Sequence, residues 1–282
     1  MCGDTQFRIR SIGFELCPAG VRRNSRCHQE KRHKTLSDFA EHDASRQHGE
    51  ADGSLFQGSQ KQPNGLTVEN KLLKAFKRIN IDTSIVLSGR TDKEVHATGQ
   101  VFNCIVPDFW DDFSKLKEVL NRNLPSSIKI NKISKVSDDF HSRFHAKKRV
   151  YRYFITTKPT NPFNDKFITY VQNVDEELLK TAIKEYIGVF DFKYFHKTGS
   201  DKELTIREIF DTTFYKYKDM YVFKFTANSY LRSQIRLMVG FLLAINDNKQ
   251  TIENLKKQLR LETHTFKLPA KANGLYLAKI KY

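Results

Sequence analysis

The stretch LSGRTDKEVHATGQV, residues 87–101, decides how this chain is organised. It begins where a short apolar run at residues 85–87 ends, and an alternating run begins at Val101. A turn between two strands requires a glycine and a capping aspartate, and this stretch has both. It does not require five charged or titratable side chains within seven positions, from Arg90 to His96. We therefore expect a functional loop between two strands.

The composition is that of a folded globular protein with a polyanionic partner. Of the 282 residues, 39% are hydrophobic and 22 are Phe, so the chain can bury one large core or two modest ones. The formal net charge is +16. A lysine-rich soluble surface is the simple explanation of a positive charge, but an excess of this size favours nucleic acid as the partner.

The sequence carries no signal for a membrane or for secretion. It contains no run of about 18 apolar residues, and its first 20 residues have no continuous apolar segment. The four cysteines show no CxxC spacing, which argues against a zinc site and fits reduced thiols. These observations predict a cytoplasmic protein without a membrane segment.

Residues 1–50 differ in composition from the rest of the chain. They hold 7 Arg and 2 Lys, whereas residues 51–282 hold 10 Arg and 29 Lys. Within them, only FRIRSIGFEL, residues 7–16, alternates like a strand. We interpret this segment as an atypical extension, disordered or non-native, and a basic arm that contacts RNA or a metal is the alternative.

The remainder of the chain alternates helices and strands. Apolar spacing predicts helices after Thr67, from about Ser114, at residues 175–188, from about Tyr230 and from Thr251. Alternation predicts strands at residues 128–136, 150–156, 207–217, 221–228 and 275–282. This order predicts an α+β protein with two α+β domains, residues 51–146 and 147–282.

Two other kinds of catalytic site are disfavoured. Gly53 and Gly58 have the spacing of a phosphate-binding loop, but Ser59 stands where that loop needs lysine. This polar loop can instead follow a nucleic-acid backbone, or be an ordinary turn. The acidic cluster PDFWDDF, residues 107–113, is the best metal candidate, yet residues such as Asp112 precede a helix that they would cap.

An arginine and an aspartate form the strongest candidate site. Arg90 lies two residues from Asp92, and a neighbouring cation favours the ionised form of a carboxyl group. An ionised carboxylate serves as a nucleophile or a base. Arg232 and Arg236 have the i, i+4 spacing that places both on one face of a predicted helix. A turn-capping aspartate and a solvated arginine face are the structural alternatives, and the residues alone do not name the reaction.

Six segments, in order, resemble the TruA-type tRNA pseudouridine synthase family. They are DGSLFQGSQKQ (52–62), SGRTDKEVHATGQV (88–101), NLPSSIKI (123–130), DDFHSRFHAKKRVYRY (138–153), NSYLRSQIRLMVG (228–240) and ANGLYLAKIKY (272–282). One such match is weak evidence, but six collinear matches are specific. The resemblance implies the pseudouridine synthase fold, with two α+β domains whose antiparallel sheets, flanked by helices, surround a basic cleft. It also implies isomerisation of uridine in the anticodon stem-loop of tRNA, at tRNA positions 38 to 40, with no cofactor or metal.

The resemblance assigns roles to five residues of the site. Asp92 matches the catalytic aspartate, and attack on C1′, attack on the ring and abstraction of a sugar proton are all open for it. Arg90 matches the residue that occupies the space of the flipped base, and flipping costs a few kcal/mol. Tyr151 matches a tyrosine that stacks on uracil. Arg236 matches the arginine that pairs with the carboxylate, and Leu275 an apolar residue of the pocket wall.

The resemblance also implies a surface for tRNA and a homodimeric protein. The residues assigned to RNA are Gln60, Gln62, His96, Lys147, Lys148, Arg149 and Arg232. Because lysine and arginine bind phosphates, affinity for tRNA is expected to fall steeply with salt. A hydrogen-bonded structural role is the alternative for lone histidines.

Three departures from the family pattern bear on activity. Glu94 stands where the family usually has glycine, and a positive φ there would strain it by about 1 kcal/mol. Gln234 replaces an apolar residue two positions before Arg236. Ala51 replaces a tyrosine with nothing apolar before it, so the first strand of the N-terminal sheet is predicted to be missing or replaced by residues 7–16. A tRNA-binding protein that keeps the fold and has lost catalysis is therefore the alternative to an active enzyme.

Overall fold

The computed structural model describes residues 7–9, 13–14, 49–63, 65–197 and 204–282. The helices in these ranges are α1 (Val68–Arg78), α2 (Phe113–Asn123), α3 (Glu176–Lys184), α4 (Gln234–Asn246) and α5 (Ile252–Leu259). The strands are β1 (Phe7–Ile9), β2 (Gly13–Phe14), β3 (Gly49–Ala51), β4 (Val86–Leu87), β5 (His96–Ala97), β6 (Phe102–Asn103), β7 (Ile105–Val106), β8 (Ile128–Lys129), β9 (Lys135–Val136), β10 (Lys148–Thr156), β11 (Thr169–Tyr170), β12 (Gly188–Asp191), β13 (Ile206–Tyr217), β14 (Met220–Ala227) and β15 (Leu275–Lys281). The predicted α+β class is confirmed.

Side-chain caps explain where four of the helices begin. The hydroxyls of Thr67 and Thr251 and the carboxylates of Asp112 and Asp175 each accept a hydrogen bond from a backbone N–H of the following turn. Each cap satisfies a donor that the first turn of a helix leaves without a partner. These starts agree with the sequence prediction, and Asp112 is a helix cap.

One sheet runs through both halves of the chain. Its strand order is β12-β13-β14-β10-β15-β5-β3-β2, with β11 paired to β10 and β8 paired to β3. Most neighbouring strands are antiparallel, but β15 and β5 are parallel, so that Tyr276 lies opposite His96 and Leu277 opposite Ala97. Because β5 directly follows the loop at residues 88–95, this pairing fixes the loop against the last strand of the chain.

Two hydrophobic cores lie on either side of this junction. The first lies between residues 51 and 133 and includes the fully buried rings of Phe76 and Phe102. The second consists mainly of residues after 150, including Phe223 and Phe241. Residues 95, 97 and 101 pack into the second core although they come from the first half of the chain. The loop at residues 88–95 is therefore held between the two cores.

Strands precede Asp52, where the sequence predicted none leading into it. β1 lies between β7 and β9, and β2 pairs with β3, so the alternating stretch at residues 7–16 does supply strands. β3 also pairs through Ala51, which lies opposite Ala97 and Ile128. The expected gap before Asp52 is wrong because ladder pairing uses backbone groups and needs no apolar side chains. The rest of the 1–50 extension lies outside the described residues.

Two further boundaries differ from the sequence prediction. Residues 128–136 form two short strands, β8 and β9, and not one. α4 begins at Gln234 rather than near Tyr230, because Ser233 has a φ of 58° and ends the preceding turn. None of the helices in the described ranges is both long and apolar enough to cross a bilayer.

Candidate active site

A cleft of about 960 Å³ opens between the two cores. Its wall includes residues of the Asp92 loop, defined here as residues 88–95, and of the segment 229–236 that leads into α4. Seven arginines and lysines and two carboxylates line it: Arg90, Lys93, Arg143, Arg149, Lys197, Arg232, Arg236, Glu69 and Asp92. The balance is positive, which suits a polyanionic ligand.

Asp92 is held by one hydrogen bond and one ion pair from the start of α4. The Ser233 hydroxyl donates to Asp92 Oδ2 at 2.7 Å, and Arg236 NH1 lies 3.8 Å from the same oxygen. The Arg236 Nε–H donates to the Ala270 carbonyl at 2.8 Å, which orients the guanidinium. The carboxylate is half-buried, so it keeps access to the cleft while its position is fixed.

The start of α4 is unusual because its N-cap residue does not cap it. Ser233 makes no side-chain hydrogen bond to the helix, and its hydroxyl faces Asp92. Gln234, fully buried, accepts from the Leu231 N–H at 2.8 Å and so stabilises the turn that precedes the helix. The glutamine that departs from the family pattern therefore has a structural role at this turn.

The buried polar side chains of Ser59 and Gln100 form hydrogen bonds with the Asp92 loop. Ser59 accepts from the Thr91 N–H at 2.8 Å, and its own N–H donates to the Thr91 carbonyl at 3.1 Å. Gln100 accepts from the Ser88 hydroxyl at 2.7 Å and donates to the Gly89 carbonyl at 2.9 Å. Neither residue was predicted to belong to the site, although both lie inside the motifs quoted for the family.

Gly53 and Glu94 have backbone positions that glycine alone occupies without strain. A Cβ on Gly53 would lie 2.0 Å from the Val95 carbonyl oxygen, so the loop that carries it passes directly beneath the Asp92 loop. Glu94 has a φ of 66° in a turn closed by the Val95 N–H to the Asp92 carbonyl at 3.2 Å. The positive φ expected at Glu94 is confirmed.

Tyr151 is buried in the cleft wall next to Tyr230. The two rings meet edge to face with centroids 5.2 Å apart. Burial raises the pKa of Tyr151 far above its usual value, against the opposing effect of Arg149, and burial raises the pKa of Tyr230 likewise. Both phenols are therefore protonated at neutral pH. Leu275, which is buried, lines the same cleft.

Arg149, predicted to contact RNA, directs its side chain to the protein's own backbone. Its guanidinium donates to four backbone carbonyls: NH1 to Asn228 O at 2.7 Å and Ala146 O at 3.3 Å, and NH2 to Arg143 O at 2.7 Å and Ser88 O at 3.1 Å. The residue is buried, and burial lowers the pKa of the guanidinium. Arg149 therefore joins three segments around the cleft, and four of its five N–H groups are directed to the protein's own backbone.

The RNA contact predicted for His96 does not fit its position, because the side chain has no exposed surface. Its side chain is fully buried, with Nδ1 accepting from the Gly53 N–H at 3.0 Å and Nε2 at 2.9 Å from the Lys166 carbonyl. The ring stacks on Tyr276 with centroids 4.6 Å apart. Burial lowers the pKa of His96, against the effect of Asp52, 3.6 Å away. The contacts therefore support the alternative for His96, a hydrogen-bonded role within the fold.

The other residues assigned to RNA divide into two groups. Gln60, Gln62 and Arg232 line the cleft. Arg232 lies in the turn before α4, so it does not share a helix face with Arg236 as predicted. Lys147 and Lys148 are exposed but lie outside the cleft wall. Within the described ranges, no group of three or more His, Cys, Asp or Glu side chains is arranged to hold a metal ion.

The geometry thus defines a positively charged cleft in which a carboxylate, held by a hydrogen bond and an ion pair, lies beside a buried tyrosine. A profile of the tRNA pseudouridine synthase family matches residues 44–145 and 182–282. tRNA pseudouridine synthase A of Wolinella succinogenes is 36% identical over 233 residues, which cover 83% of this chain and 92% of that protein.

Two further relatives bear the same name. The protein of Campylobacter jejuni is 36% identical over 231 residues, covering 82% of this chain and 96% of the relative. That of Streptococcus agalactiae is 38% identical over 238 residues, covering 82% and 92%. The chain belongs to the tRNA pseudouridine synthase family.

Proposed function

We propose that this chain converts uridine to pseudouridine in tRNA, with Asp92 as the catalytic residue. The observation that carries the proposal is the Asp92 carboxylate in a positive cleft, held by Ser233 and Arg236. The reaction breaks the N1–C1′ bond, rotates the uracil and joins C5 to C1′; C5 releases its proton to water and N1 takes one up, so the reaction consumes no second substrate. Holding the carboxylate before the substrate arrives lowers the cost of reaching the reactive geometry.

The neighbouring side chains fit the roles implied by the family. Arg90 is exposed on the cleft wall, where its side chain can occupy the space that a flipped uridine leaves. Tyr151 offers a protonated phenol and a ring face to the uracil, and Leu275 offers an apolar wall. Arg236 balances the charge of the carboxylate at 3.8 Å.

The tRNA backbone is bound along the cleft and its rim. Gln60, Gln62 and Arg232 line the cleft and offer amide and guanidinium donors to phosphates. Lys147 and Lys148 contact phosphates outside it, since both are exposed. Arg149 and His96 hold the protein together and take no part in RNA contact.

The finer properties of the enzyme come from its family likeness. The target uridines lie in the anticodon stem-loop, at tRNA positions 38 to 40, the protein acts in the cytoplasm, and two copies form a homodimer. Two α+β domains comprise residues 51–146 and 147–282. This division is supported by the hydrophobic cores, because each range contains most of one core. Mapping of pseudouridine in tRNA after incubation tests the position, and sedimentation at micromolar concentration tests the dimer.

Release of tritium from C5-labelled uridine in unmodified tRNA tests the proposed reaction. The parent protein should release tritium, and Asp92→Asn, which keeps the shape of the side chain, should not. Lys74→Gln is the control, because Lys74 is exposed and lies outside the cleft wall. Both variants should bind tRNA within about threefold of the parent. Release by Asp92→Asn at the parental rate would contradict the role of the carboxylate.

The alternative of an RNA-binding protein without catalysis has no support among the described residues. That alternative was based on the predicted loss of the first strand of the N-terminal sheet. In the structure, β1 pairs with β7, and β3 pairs with β5 and β8. Tritium release by the parent would exclude it.

A further inference from the structure

Phe144 is an exposed aromatic side chain on the wall of the cleft. Its exposed fraction is 74%, and it lines the cleft together with His141 and Arg143. Single exposed apolar residues are normal on protein surfaces, so exposure alone implies nothing. Phe109 and Phe163 are also exposed, but neither lines the cleft. Phe144 differs from them in its position and in the way its ring is held.

The ring of Phe144 is held by the imidazole of His141. The two rings stack with centroids 4.2 Å apart and an interplanar angle of 26°. His141 Nδ1 accepts from the backbone N–H groups of Arg143 and Phe144, each at 3.2 Å. These two bonds fix the imidazole, which covers one face of the phenyl ring. Arg143 adds a cation 5.8 Å from the ring centroid.

The turn that carries the two rings is fixed with respect to the Asp92 loop. The Ser142 N–H donates to Asn103 Oδ1 at 2.9 Å, and the Ser142 hydroxyl donates to the Val86 carbonyl at 2.5 Å. Val86 and Asn103 pair with each other in β4 and β6, and β4 leads directly into the Asp92 loop. The turn that carries the stacked rings and the loop that carries the carboxylate are therefore both joined to the β4–β6 pair.

We propose that the Phe144–His141 stack is a binding site for one unpaired nucleobase of the RNA substrate, other than the uridine that reacts. The inference rests on the proposed function, because the substrate must present an unpaired base near its target. Extraction of the target uridine removes a stacking partner from its neighbours and costs a few kcal/mol. A base that stacks on an aromatic side chain gains about 1–3 kcal/mol whatever its identity, which offsets part of that cost.

The neighbouring charge suits this ligand. Arg143 is exposed beside the ring, so its guanidinium can bind the phosphate of the stacked nucleotide or extend the aromatic surface. Because every base has an aromatic face, the site selects an unpaired nucleotide and not a sequence. It would therefore favour a loop over a continuous duplex.

Equilibrium binding of an unmodified tRNA to Phe144→Leu tests the inference. A loss of about 1–3 kcal/mol corresponds to a Kd about 5- to 150-fold higher than that of the parent. Phe144→Trp should bind within about threefold of the parent, because it restores an aromatic face. Phe163→Leu is the matched control, since Phe163 is 82% exposed and remote from the cleft wall, and its Kd should not change.

A fluorescent base identifies the nucleotide that stacks. With 2-aminopurine placed in turn at each unpaired position of the tRNA loop, one position should be quenched by the parent and by Phe144→Trp but not by Phe144→Leu. Equal Kd values for Phe144→Leu and Phe163→Leu would overturn the site, as would a loss in Phe144→Trp equal to that in Phe144→Leu. Tritium release by the parent is measured separately, so that unchanged binding by Phe144→Leu rejects the stacking site without rejecting the reaction.

Discussion

Replacing Arg149 with lysine tests whether one buried guanidinium holds the cleft together. The side chain donates to carbonyls of three segments: the turn at residues 143–146, Ser88 in the Asp92 loop, and Asn228 after β14. Lysine keeps the positive charge, but its three N–H groups radiate from one nitrogen atom and cannot reproduce the planar fork of arginine. The substitution therefore changes geometry while it conserves charge.

The expected loss of stability follows from the four hydrogen bonds. Two of them are 2.7 Å long, and the others are 3.1 and 3.3 Å. If the ammonium of Arg149→Lys retains two of the four, two bonds from a charged donor are lost at about 1.5 kcal/mol each, which gives about 3 kcal/mol. For a protein of this size, such a loss lowers the midpoint of thermal unfolding by about 6–12 °C.

Thermal and urea unfolding of the parent and of Arg149→Lys measure this difference. Arg122→Lys is the matched control, because Arg122 is 71% exposed and pairs only with Glu118 among the residues described near it. Its free energy of unfolding should stay within about 0.5 kcal/mol of the parent. An Arg149→Lys protein as stable as Arg122→Lys would falsify the view that this guanidinium joins the three segments.

Four other changes should have defined effects. Glu94→Gly should raise the free energy of unfolding by about 0.5–1 kcal/mol in urea melts, since relief of the left-handed φ exceeds the entropy cost of glycine. Ser233→Ala should lower kcat about tenfold or more without changing KM, because Asp92 loses a hydrogen bond. Tyr230→Phe should raise the free energy of unfolding by about 1 kcal/mol, because the buried hydroxyl lacks a hydrogen-bond partner among the described residues. Finally, stability should be constant between about pH 8 and pH 10 and fall above it, because burial raises the folded-state pKa of Tyr151 and Tyr230 while the unfolded chain loses these protons.

Each of these expectations has its own control. Because the backbone at Lys93 does not have a positive φ, Lys93→Gly should lower the free energy of unfolding. An increase equal to that of Glu94→Gly would argue against strain at Glu94. Ser229→Ala, at a serine that lines the cleft without a hydrogen bond to Asp92, should keep the parental kcat, and an increase in KM alone for Ser233→Ala would assign the serine to binding. Tyr153→Phe should lose stability, because its hydroxyl bonds to Thr169 and Lys271. A urea midpoint that stays level from pH 8 to pH 11 would contradict the titration argument.

Local signals in the sequence predicted the starts of most helices. Thr67, Asp112, Asp175 and Thr251 are caps in the structure because a cap and its first turn lie within a few residues of each other. The start of α4 was predicted four residues too early, since the apolar spacing continues backwards through Leu231, and sequence does not reveal the left-handed φ of Ser233.

Contacts between distant segments were harder to predict. Ser233 and Asp92 are 141 residues apart, so nothing in either motif indicates their hydrogen bond. His96 and Arg149 are polar residues inside conspicuous motifs, and such residues suggest ligand binding when read alone. The structure buries both, because parallel pairing of β5 with β15 covers the histidine and three segments converge on the arginine.

The junction of β5 and β15 has a consequence for how a large substrate enters. The backbone N–H groups of Thr98 and Gly99 both donate to the Leu277 carbonyl, at 2.8 and 3.1 Å, and a Cβ on Gly99 would lie 2.1 Å from the Ala278 carbonyl oxygen. These hydrogen bonds and the close backbone contact join the two halves of the protein directly. We therefore expect the two walls of the cleft to keep their spacing when RNA binds, so that the deformation required for the reaction falls on the RNA.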